Sequence, residues 1–286
     1  MNEGGFQRKW KARRKQRVLS GSTLHTVCVE RALTPPQVIS CIIRGFRHTE
    51  MAIRGRCCYS LLRLVKVMDT PAPTLATCSA AINAIQSMVA ANVQSNYAAV
   101  SGDSLNYLFE AAGTLINNPD TIPLETREQL LSSFMLPQIN GINTMVQHAT
   151  QDPGNVDSQL ISQIGLILST IASLSKGFSS SSMTANMKTL FLQALQVCIR
   201  TTNDLPSNLE VKSKSIMLIH RTILLLEDEI ISYIPSILFP MLQACDGGGL
   251  LEIVQVRPAK THAHPRTHTH FVNKIHVGDG QRGTVL

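Results

Sequence analysis

The densest chemistry in this sequence is cationic. Residues 8–17, RKWKARRKQR, set seven Lys/Arg around a single aromatic, Trp10, with Arg13, Arg14 and Lys15 at the centre. Such a run attracts phosphate groups through salt-dependent electrostatics or serves as a nuclear localisation signal. The same composition also describes a solvated, disordered arm. A second group, Arg54, Arg56, Arg63 and Lys66, lies in a stretch of helical periodicity. Separations of seven and three bring Arg56, Arg63 and Lys66 to one helix face. There they contact phosphates or form a solvated face with snorkelling stems. Arg54 begins the same stretch and is the weaker candidate for phosphate contact.

The remaining candidates carry less. Residues 261–270, THAHPRTHTH, have histidines close enough to bind zinc or nickel, but no Cys or carboxylate is placed to complete a folded site. Alternating Thr and His is also what a C/A nucleotide repeat encodes, and helical periodicity stops at Gly247-Gly248-Gly249. The tail is therefore read as translated non-coding sequence. No phosphate-binding glycine loop, nucleophile elbow or H-E-x-x-H pair is present. Glu227, Asp228 and Glu229 fall at a helix junction, and His148 and His220 are isolated helix-surface or packing residues. No enzyme, no cofactor and no metal site is expected.

The net charge of +7 divides unevenly. Residues 1–66 hold 14 Lys/Arg against 3 Asp/Glu, residues 67–246 hold 7 against 14, and residues 247–286 hold 5 against 2. The regular middle is thus acidic, and phosphate attraction is confined to the first part. Seven scattered cysteines, with no C-x-x-C pair, read as reduced thiols. The start lacks the apolar stretch of a signal peptide. The oily segment 160–174 is interrupted by serines and falls short of the roughly 20 residues a bilayer span requires. A soluble intracellular protein without membrane insertion is expected.

The elements that must position these groups are helices. Between Pro36 and Ala244 about nine amphipathic segments of 3.6-residue period follow one another: 36–47, 50–68, 73–92, 103–117, 124–148, 156–177, 184–201, 208–226 and 228–244. Asn155 or Asp157 caps the sixth, Thr184 the seventh and Ser207 the eighth, while Gly177 stops the sixth. The seventh carries one apolar stripe, Met187, Leu190, Phe191, Ala194 and Cys198. The eighth is apolar on two sides, with Val211, Leu218 and Leu225 on one and Ile216, Ile219, Ile223 and Leu226 round to another.

A helix covered from two directions is what stacked helical hairpins produce, whereas a bundle helix more often shows one stripe. Pro36, Pro137 and Pro235 each precede an aliphatic by two positions, and their spacings of 101 and 98 fit two repeats of 40–50 residues. In the second helix Ile53-Arg54, Cys57, Leu61 and Leu64 resemble the inner helix of a HEAT hairpin, which implies that Arg54 ties neighbouring repeats together. Small Cys57 would admit the neighbouring helix, and Ile53, Leu61 and Leu64 would fill the groove. The expected fold is all-α: a HEAT-repeat-like α-solenoid over 31–246, between a basic arm at 1–30 and a Gly/His-rich tail at 247–286, both disordered.

Three segments give this reading a family. Residues 51–66 (MAIRGRCCYSLLRLVK), 105–116 (LNYLFEAAGTLI) and 225–235 (LLEDEIISYIP) resemble the central part of exportin-T, over roughly Pro36 to Asp246. The resemblance implies a karyopherin that carries transfer RNA (tRNA) out of the nucleus with the GTPase Ran in its GTP form. It also implies passage past nuclear pore proteins and shuttling between nucleus and cytoplasm. Arg56, Arg63 and Lys66, with the basic run, would then contact the sugar-phosphate backbone of tRNA. RNA and GTPase would each favour one curled state and so raise each other's affinity. Ran binds the family mainly through N-terminal repeats that this sequence does not resemble, so a fragment of such a receptor is expected. The alternative is a generic HEAT-repeat protein-interaction scaffold without RNA cargo.

Overall fold

The computed structural model describes residues 34–68, 73–151, 157–206 and 208–237. Eight α-helices run through them: α1 Pro35–Gly45, α2 Met51–Val65, α3 Leu75–Gln94, α4 Gly102–Ile116, α5 Leu124–Gln151, α6 Ser158–Ser175, α7 Ala185–Asp204 and α8 Leu209–Leu226. A 3-10 turn, Ser180–Ser182, precedes α7, and no strand occurs among the described residues. The basic arm and the Gly/His-rich tail lie outside the described residues, as do Asn155 and Ser207.

The caps carry the local logic. Thr74, Ser101, Thr184 and Asn208 each accept a hydrogen bond from the amide three residues on, and Asp157 accepts from Gln159. Each satisfies an amide that has no partner within its helix. Asp157 and Thr184 take the places expected of them, whereas α8 is capped by Asn208 rather than Ser207. The ninth helix does not start as one: Glu227–Tyr233 is a 3-10 segment, and only residues 234–237 are α-helical within the described chain. Glu227 at φ 49 turns the backbone out of α8. Glu229 pairs with Lys188 of α7 at 2.6 Å, tying the 3-10 segment to that helix.

The helices pair as hairpins α1–α2, α3–α4, α5–α6 and α7–α8 and stack in two rows. The even row, α2 on α4 on α6 on α8, carries the most extensive packing, and α7 lies across α5. This is an all-α solenoid of the expected kind. Hydrogen bonds between successive units show its period directly. Arg54 to Ala99, Gln86 to Ser133, Ser162 to Glu210 and Arg221 to Ser175 span 45, 47, 48 and 46 residues. Between the second unit and the third only the even-row step lengthens, to 60 from Asn117 to Gly177, because the 28-residue α5 lies between α4 and α6. Unequal steps explain why the repeat is faint in sequence.

One core runs through the stack, from Leu61, Ile85 and Leu108 to Leu131, Ile164, Phe191 and Leu218. Leu190 is only partly buried, and Ile223, at 37% exposed, faces solvent rather than a second helix. Ile53 also departs from expectation at 36% exposed: the close contact of α1 with α2 is at Gly45 and Cys57, one turn further along. Helix α6 is long and apolar enough to cross a membrane by length and composition, yet 67% of it is buried in the protein. Its apolarity is that of a central layer. Its buried hydroxyls close on their own helix, Thr170 onto the Ile167 carbonyl and Ser175 onto that of Ala172, both at 2.7 Å.

Candidate nucleic-acid interface

Helix α2 turns one edge to solvent along its length. Arg56, Tyr59 and Arg63 are exposed at intervals of three and four, and Lys66 caps the end. The Arg63 guanidinium lies 5.8 Å from the Tyr59 ring centroid and donates to its hydroxyl at 3.1 Å. Tyr59 in turn meets Tyr107 of α4 edge to face, with ring centroids 5.3 Å apart. The structure thus groups Arg56, Arg63 and Lys66 along one helix edge, adding two aromatic rings that the charge pattern does not reveal. Arg13, Arg14 and Lys15 lie outside the described residues.

Lys66 is placed differently from the two arginines. It pairs with Oε1 of Glu110, one turn beyond Tyr107 on α4, while Lys176 at the end of α6 pairs with Oε2 at 3.0 Å. Arg221 of α8 donates at 3.3 Å to both the hydroxyl and the carbonyl of Ser175. Three even-row helices therefore meet at Glu110, a residue 7% exposed, and Arg221 ties the fourth to the end of α6 beside it. Burial pushes the Glu110 carboxyl up, but hydrogen bonds from Lys66 and Lys176 and their charges outweigh it and hold the group below the usual 4.5. Burial lowers the pKa of Arg221, with Glu110 opposing the shift.

A carboxyl of lowered pKa stabilises the fold above its unfolded pKa and loses that contribution as pH falls through its folded value. Acid unfolding of the parent is therefore expected to contain a component below pH 4.5 that Glu110→Gln removes. Equilibrium unfolding at stepped pH measures it. Equal pH dependence in parent and variant would show that the pairs contribute nothing.

Arg54 does what its place in a hairpin suggests. It donates to the carbonyls of Ala99, His48 and Thr49 at 2.7, 2.7 and 2.6 Å, joining α2 to the connection before α4. It is thereby committed to the scaffold. Arg127 is similar: at 6% exposed it donates to the Ile116 carbonyl at 3.2 Å and to Asn117 Oδ1 at 2.6 Å, closing the end of α4 with a cation.

Little else on the described surface suggests chemistry. Among the described residues no group of three His, Cys, Asp or Glu converges as a metal site. The five described cysteines are free, and burial pushes the Cys58 and Cys198 thiols up to about 12, away from nucleophilic behaviour. His148 is exposed, whereas His220 is partly buried with Nε2 unpartnered. An open depression of about 500 Å³ between the start of α6 and the α7–α8 connection is lined by Ser158, Ile161, Leu205 and Glu210. It gathers no cation and no aromatic ring.

The sequence aligns with known proteins over this same helical region. The Exportin-T family profile matches residues 30–255. Exportin-T of Mus musculus is 24% identical over 231 residues, covering 77% of this chain and 24% of that protein. Exportin-T of Danio rerio is 23% identical over 233 residues, covering 78% of this chain and 24% of the relative. That of Arabidopsis thaliana is 24% identical over 215 residues, 72% of this chain and 22% of the relative. The chain therefore spans about a quarter of the length of these relatives. With the profile running from the start of α1 past the end of α8, this stack of helical hairpins belongs to the Exportin-T family.

Proposed function

We propose that the chain acts in nuclear export of tRNA, with its even-row edge contacting the RNA backbone. The family match over residues 30–255 carries this reading, and the exposed Arg56–Tyr59–Arg63 edge supports it. Guanidinium groups beside aromatic rings suit phosphates and the open sugar edges of folded RNA. Such contacts position RNA without reading its sequence. Lys66 belongs to the same edge, and Arg13, Arg14 and Lys15 add attraction from the arm.

The mechanism is conformational rather than chemical. Ran in its GTP form and tRNA each favour one curvature of the whole receptor, so each raises the other's affinity, and GTP hydrolysis in the cytoplasm releases both. Nuclear pore proteins are the third class of partner, and the receptor shuttles between nucleus and cytoplasm. The GTP hydrolysis belongs to Ran, and this chain contributes no catalytic group to the cycle.

Competition binding tests the RNA reading. Labelled tRNA bound to the 286-residue chain is expected to be displaced by unlabelled tRNA several-fold more effectively than by a duplex RNA of equal length. Equal displacement by the two would favour general polyanion attraction. Absence of binding at about 50 mM salt, where phosphate attraction is strong, would exclude an RNA-contacting role for this chain.

A further inference from the structure

We propose that Glu110 is a built-in competitor for RNA phosphate at the Lys66–Lys176 pair, so that these two cations are held back from the even-row surface. The inference rests on the RNA-binding reading above and specifies how that surface is regulated. Its basis is the layering of charge. The side chains of Lys66 and Lys176 are 48% and 43% exposed, whereas that of Glu110 is 10% exposed. The carboxylate lies beneath two ammonium groups that face solvent, one on each of its oxygens.

A phosphodiester approaching from solvent meets the ammonium groups first, yet each is already paired with a fixed anion. Attraction is reduced in proportion to that compensation, and full engagement requires the lysines to leave Glu110. Arg56 and Arg63, exposed on the same edge of α2, are not paired with this carboxylate. The surface therefore has two grades of cation: arginines that engage a backbone at once and lysines that engage it only in exchange for an internal pair. The positions suit exchange, since Lys66 and Lys176 end α2 and α6, where a cation is also held by the helix dipole. Among the described residues each ammonium group is bonded to Glu110 alone.

The cost of exchange falls on the stack. Glu110 links α2 to α4 and α4 to α6, so RNA that takes both lysines removes the ion pairs joining three units. Binding at this point is thereby coupled to how firmly the even row is held.

Fluorescence anisotropy with labelled tRNA on the full 286-residue chain tests this, with circular dichroism melts verifying that each variant is folded. Glu110→Gln is expected to tighten binding at least ~3-fold at about 50 mM salt and to steepen the salt slope by about 0.7–0.9 for each additional phosphate neutralised. Lys66→Ala should weaken the Glu110→Gln chain at least ~3-fold more than it weakens the parent, the non-additivity expected of groups in one network. Unchanged or weaker binding by folded Glu110→Gln, with the Lys66→Ala effect equal in both backgrounds, overturns the competitor role and leaves the RNA reading intact. Should Glu110→Gln not fold, salt slopes in the parent decide: Lys66→Ala must lower the slope by less than Arg63→Ala, and an equal decrease overturns the proposal. No tRNA binding by parent or variant overturns the RNA reading, and the competitor role falls with it.

Discussion

Gly113→Ala is expected to destabilise the solenoid by about 3 kcal/mol or more, a large effect for the addition of one methyl group. A Cβ at position 113 would lie 2.1 Å from the Leu174 carbonyl oxygen, and one at Gly177 would lie 2.1 Å from the Gly113 carbonyl carbon. These are backbone atoms at a crossing of α4 with the end of α6, fixed further by Asn117 donating to the Gly177 carbonyl at 2.9 Å. No side chain can rotate away, so the two helices must separate. Gly141→Ala supplies the contrast, because its Cβ would meet only Ile167 Cδ1 at 3.7 Å and Met145 Cε at 3.8 Å. Within α5 that change should be neutral or stabilising by up to about 1 kcal/mol. Thermal and urea unfolding of both variants measure the difference, and similar melting for the two would show that α4 and α6 do not approach as described.

Removing residues 1–20 is expected to have the largest effect on RNA affinity. That segment packs seven of the fourteen basic residues before position 67 into ten positions, whereas exposed cations of the described helices such as Arg44, Arg56, Arg63 and Arg200 are spread over separate units. Each phosphate contact contributes about 0.7–0.9 to the salt slope, so losing even four would flatten it by roughly 3 units. At about 50 mM salt the loss should be on the order of a hundredfold, shrinking as salt rises. Filter binding of tRNA to residues 1–286 and 21–286 at two salt concentrations measures it. An unchanged slope would mean that the arm does not touch RNA.

The parts legible in sequence are those set by local chemistry. Periodicity places α1 to α8 to within a few residues, Asp157 and Thr184 announce two caps, and Arg54 reads as scaffold because of its place at a hairpin start. What stays hidden depends on register between units. Lys66 reads as an exposed cation from its own helix, and only Glu110, 44 residues on, shows that it is paired. Tyr107, Lys176 and Arg221 join the same surface from three other segments, and no local signal connects them. Ile53 is expected inside because the helix pattern carries an aliphatic there, yet it lies one turn short of the α1–α2 contact. The family resemblance is legible because the segments that carry it, 51–66, 105–116 and 225–235, lie within the residues 30–255 that the family profile matches.

The claim that the even-row edge contacts RNA is tested most directly in the chain shortened to residues 21–286, where the arm cannot mask it. Arg56→Ala/Arg63→Ala in that background should reduce residual tRNA affinity at about 50 mM salt at least ~5-fold and lower the salt slope by about 1.4–1.8, the contribution of two phosphate contacts. The variant should retain parental helicity and melting temperature, because both side chains lie on the exposed edge of α2. Residual binding of unchanged affinity and slope in the double variant would contradict the assignment and place any RNA contact elsewhere on the stack.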